Sequence, residues 1–63
     1  MSDRRVEDHI KQLLRDAAKA AQRGDVDKLI DIAQALYRVG DAEAAKAVEN
    51  RARRLAAEWA VTN

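Results

Sequence analysis

Apolar residues recur along the chain at helical spacing, in three blocks separated by the only two glycines. In residues 2–23, Val6, Ile10, Leu13, Leu14, Ala17, Ala20 and Ala21 project within an arc of about 120°. Lys11, Arg15, Lys19 and Arg23 fall opposite. A similar stripe in residues 41–61 holds Ala44, Ala45, Val48, Ala52, Leu55, Ala56 and Trp59. The middle block, 25–39, is broader. Val26, Leu29, Ile30, Ile32, Ala33, Leu36, Tyr37 and Val39 cover about 180°, leaving Asp27, Asp31, Gln34 and Arg38 on the polar side. The pattern predicts three amphipathic helices at about 2–23, 25–39 and 41–61.

The boundaries have a chemical cause. Gly24 and Gly40 can take the left-handed conformation that closes a helix. Ser2, Asp25 and Asp41 can cap the helices that follow by accepting hydrogen bonds from free amides. Gly-Asp is thus one piece of turn chemistry used twice, after Arg23 and after Val39. Such short corners force antiparallel neighbours, so the expected fold is all-α: a compact up-down-up three-helix bundle, a single domain over 1–63. Val6, Ile10 and Leu13 are expected to face the small Ala44 and Ala45. Ala17, Ala20 and Ala21 are expected to face Leu55 and Trp59, large against small. Trp59 is placed in the core, and Tyr37 near one margin of the middle face.

Composition sharpens this picture. Sixty-three residues sit near the lower limit for independent folding, and there is no cysteine to supply a disulfide or a thiolate ligand. Ala, Leu, Lys, Arg, Glu and Gln dominate and proline is absent, so the helices should form well. Twelve basic and eleven acidic residues are interspersed, giving a net charge of +1. No field is present to drive binding of nucleic acid or a membrane surface. The polar start MSDRRVEDH does not resemble a signal peptide, and no apolar run approaches the roughly 18 residues of a membrane span. A soluble, cytoplasmic or recombinant protein is expected.

Chemistry-bearing constellations are missing. His9 is the only histidine and has no second His or Cys with which to build a zinc site. The hydroxyls Ser2, Tyr37 and Thr62 have no sequence partner to act as base. Asp27 and Asp31 lie on a solvated face, while Glu7 with Lys11 and Glu49 with Arg53 are ordinary i, i+4 pairs. The basic stripe Lys11–Arg23 is interleaved with Asp8 and Asp16, and Arg51, Arg53 and Arg54 spread around their helix. No enzyme, cofactor, metal or small-molecule ligand is implied.

Three resemblances remain. Arg23-Gly24-Asp25, within RGDVDKL, resembles the tripeptide of integrin ligands, including those in which a short helix follows it; Val26 stands where that pattern prefers Leu. Residues 29–55 resemble a tetratricopeptide helical hairpin at Leu29, Ile32, Ala33, Leu36, Gly40-Asp41, Ala45 and Ala52. Glu49 replaces the family's usual aromatic, the closing proline is absent, and the family's peptide groove is not carried over. The chain as a whole resembles a de novo designed mini-protein in its uniform corners, its solvent-facing Ala47 and Ala57 and its mixed surface charge.

Functional expectation therefore rests on the broad middle face. If the bundle does not cover all of it, Ile32, Ala35 and Val39 form one exposed margin, and Ile30 and Tyr37 the other. One expectation is a structural scaffold that self-assembles through this face. The alternative is a binding module that presents a helical face, or the Arg23-Gly24-Asp25 corner, to a protein target.

Overall fold

The structure, a computed structural model, describes residues 2–62, with side chains for residues 5–60. Three helices follow one another: α1 (Ser2–Arg23), α2 (Val26–Arg38) and α3 (Ala42–Thr62). They form the expected up-down-up bundle, with boundaries within a residue of those predicted. The side chains of Ser2 and Thr62, named above as a cap and a hydroxyl, lie outside the described set.

Both corners share one construction. Gly24 and Gly40 have φ of +71° and +90°, the left-handed region that glycine enters without a Cβ penalty. At the first, Gly24 N–H donates to Ala21 O (3.1 Å) and Asp25 N–H to Ala20 O (2.8 Å). At the second, Gly40 N–H donates to Tyr37 O (3.1 Å) and Asp41 N–H to Leu36 O (3.0 Å). These paired bonds satisfy carbonyls that the helix end would otherwise leave open. Each aspartate then starts the next helix: Asp25 Oδ1 accepts from Lys28 N and Asp41 Oδ1 from Ala44 N, both at 3.1 Å.

The helix between the corners is the keel. α2 packs on both neighbours, most extensively on α3, whereas α1 and α3 touch each other little. Residues equally distant from a corner stand level. Leu36 thus lies level with Leu13 of α1 and Ala45 of α3, and Leu29 with Ala20 and Ala52. Leu29 and Leu36 are fully buried, joined in the core by Ile32, Ala33, Ala17, Ala20, Ala45, Val48 and Ala52. Large-against-small packing is therefore present, but between α2 and its two flanks. Of the expected facing of α1 against α3, Ala21 and Leu55 line one cleft together, while alanines on both flanks let their backbones close on the leucines of α2.

Helix length decides where this packing stops. α2 has 13 residues against 22 and 21 for its neighbours. At about 1.5 Å per residue, α1 overhangs α2 at one end and α3 at the other, each by on the order of 10 Å. The molecule is accordingly a rod of 48 × 18 × 13 Å. Val6 and Trp59 point along their helices' apolar stripes, as expected, yet stand on the overhangs, 42% and 57% exposed. Trp59 is thus not a core residue. It leans back toward its own helix N-terminus, over the Gly24 corner.

Candidate functional site

The two margins of α2 part company. Ile32 is 4% exposed and belongs to the core, while Ala35 and Val39 are half-buried. Ile32 is therefore withdrawn from the candidate interface. Ile30 and Tyr37, at 41% and 42%, face solvent beside α3.

These two side chains belong to a continuous apolar strip. Val26 and Ile30 from α2, with Ala52 and Ala56 from α3, line a shallow depression edged by Glu49 and Arg53. Val26 and Ala56 also line the next depression, which Trp59, Asp27 and the Gly24-Asp25 corner complete. At the other end, Tyr37 Oη approaches Glu49 Oε2 at 3.5 Å, the outer limit of a hydrogen bond. Side chains lean toward their helix N-termini, so Tyr37 leans up α3 and Trp59 leans down toward it. Glu49 and Arg53 form the expected i, i+4 pair at 2.8 Å. Its two partners remain accessible, so the pair is worth only a few tenths of a kcal/mol.

The Arg23-Gly24-Asp25 corner touches this strip. Arg23 closes α1 and is exposed, Gly24 sits beneath the Trp59 indole, and the Asp25 carboxylate caps α2. Arg and Asp thus have separate local roles on successive helices.

A second surface was not foreseen. Because α1 and α3 splay across α2, an open cleft of about 470 Å³ lies between Ala21 on one side and Ala47, Arg51, Arg54 and Leu55 on the other. It continues past Leu14 and Ala18, with Leu29 reached at its floor. The signal was present in the alanine doublets Ala17-Ala18 and Ala20-Ala21 with Ala47: small residues extend the apolar arc toward a space that nothing large fills.

Among the described residues, no polar side chain is buried and no group of three or more His, Cys, Asp or Glu could hold a metal ion. His9 is exposed. No described helix is long and apolar enough to cross a membrane. No protein-family model, curated protein or solved structure matches the chain.

Proposed function

We propose that the protein is a non-enzymatic helical scaffold, built like a designed mini-protein, that self-associates through the margin of α2 bordering α3. The observation that carries this is the continuity of Tyr37, Ile30, Val26 and Trp59 along one side of the α2–α3 pair. A self-contained bundle has no use for three large, exposed apolar side chains in one line, and aromatic residues are favoured where such a line meets a protein surface. Sedimentation equilibrium over a hundredfold range of concentration tests it. A rising average mass supports self-association, and a monomer throughout overturns it.

A second reading is a binding module for another protein. The observation favouring it is the α1–α3 cleft, whose alanine walls admit a closely approaching helix and whose Arg51 and Arg54 stand on one wall. An integrin ligand is disfavoured because Asp25 already serves as a cap and Gly24 lies under Trp59. The tetratricopeptide likeness supplies corner and core residues here and no peptide site.

A further inference from the structure

We infer that the α2–α3 strip takes a second copy of this chain, packed antiparallel about a two-fold axis beside Ile30, with Glu49 of each copy facing Arg53 of the other. This rests on the self-association proposed above and specifies its geometry.

The order of groups along the rod sets this geometry. Residues equally distant from the Gly40-Asp41 corner stand level, so Tyr37 lies level with Ala44 and Ile30 with Arg51. The strip therefore presents, from end to end, Tyr37, Glu49, Ile30, Arg53, then Val26 with Asp27, and Trp59 beside Asp25. Ile30 stands midway between Glu49 and Arg53, and midway between the two aromatic residues. At its centre the groups run acid, aliphatic, base, with an aromatic residue toward each end. Reversed, that central order is the same except that acid and base exchange. That exchange is what a two-fold axis requires, because a self-complementary patch must set each charge against its opposite. Turned end over end about Ile30, the second copy lays α3 against α3. Ile30 then meets its own counterpart, and Tyr37 meets the Trp59 of the other copy. Glu49 and Arg53 already pair within one helix, and their side chains are 36% and 74% exposed. Both remain open to a second partner.

The size of the strip sets the strength. It is roughly 22 Å long and two helices wide, about 400 Å² per copy. A stable interface uses about 800 Å² per partner. The dimer should therefore be reversible and populated at high protein concentration.

The test is sedimentation equilibrium of the wild type, Glu49→Arg, Arg53→Glu, an equimolar mixture of those two, and the double variant E49R/R53E. Circular dichroism checks that all remain folded, which the exposed positions favour. Each single reversal sets like charges across the axis and is expected to weaken association at least tenfold. The mixture pairs two arginines with two glutamates, and the double variant restores opposite charges, so both should associate like the wild type. A wild type that stays monomeric overturns the self-association itself. A wild type that dimerises regardless of the single reversals, or singles that the mixture does not rescue, leaves self-association standing and overturns this geometry.

Discussion

The Trp59 indole lies against Gly24: a Cβ added to Gly24 would stand 3.5 Å from Trp59 Nε1. That is ordinary contact, so a methyl group fits there. What opposes substitution is the backbone, at φ +71°, and Gly40 at φ +90° shares the obstacle with nothing within 4 Å of its Cβ position. Gly24→Ala and Gly40→Ala are expected to destabilise the fold similarly, by about 1–2 kcal/mol each. Urea denaturation measures both. A much larger loss at Gly24 would mean that the indole and the corner are packed more tightly than this contact implies.

The caps separate a structural role from a recognition role at the same residue. Asp25→Ala and Asp41→Ala should each cost about 1 kcal/mol, whereas Asp25→Asn should be nearly silent, since asparagine caps as well. Asp25→Asn also removes the carboxylate that an integrin ligand needs. Cell adhesion to immobilised protein is expected to be at background for both the wild type and Asp25→Asn. Adhesion by the wild type that Asp25→Asn abolishes would give the corner a function beyond turning the chain.

Trp59 is the only tryptophan and so a direct reporter of its surroundings. With 57% of it exposed, dilute protein should show the red-shifted emission of a hydrated indole. Trp59→Ala should cost about 1–2 kcal/mol, below the 3–5 kcal/mol typical of a buried aromatic. Leu36→Ala, at a fully buried position, should cost about 2–5 kcal/mol. A domain of this size has roughly 3–5 kcal/mol in hand, so that single change should leave it largely unfolded.

How far the sequence discloses this molecule follows from which quantities periodicity carries. Rotation about a helix axis is written in the order of residues, so the stripes, the three helices and both Gly-Asp corners are legible. Height is legible only by counting from the corners. Projected on its wheel, Trp59 belongs to the apolar stripe of α3, yet it lies beyond the start of α2, against the Gly24 corner and more than half exposed. The choice between the margins of α2 is set by where the flanking helices sit. α3 leaves Ile30 and Tyr37 uncovered, while Ile32 on the other side is buried, and a single broad arc does not distinguish those outcomes. The α1–α3 cleft is harder still to foresee, because alanines permit close approach without dictating which pair of helices makes it.

Ile30 and Ile32 offer the sharpest contrast, two like residues two positions apart on one helix. Ile32 is 4% exposed, so Ile32→Lys would place an ammonium group among Leu29, Ala33 and Leu36 with no buried carboxylate to meet it. The cost of an unpaired buried charge is several kcal/mol, comparable with the whole stability of the domain. The expected result is loss of the cooperative thermal transition in circular dichroism. Ile30 is 41% exposed, and a lysine there can lay its stem along Ala52 and hold its charge in water. Ile30→Lys should therefore keep the helical spectrum and most of the stability, changing it by less than about 1 kcal/mol. The same substitution sets two ammonium groups against each other on the proposed axis, so it should abolish concentration-dependent association in sedimentation. If Ile30→Lys unfolds the protein instead, α2 and α3 close over that margin, and the strip is part of the core.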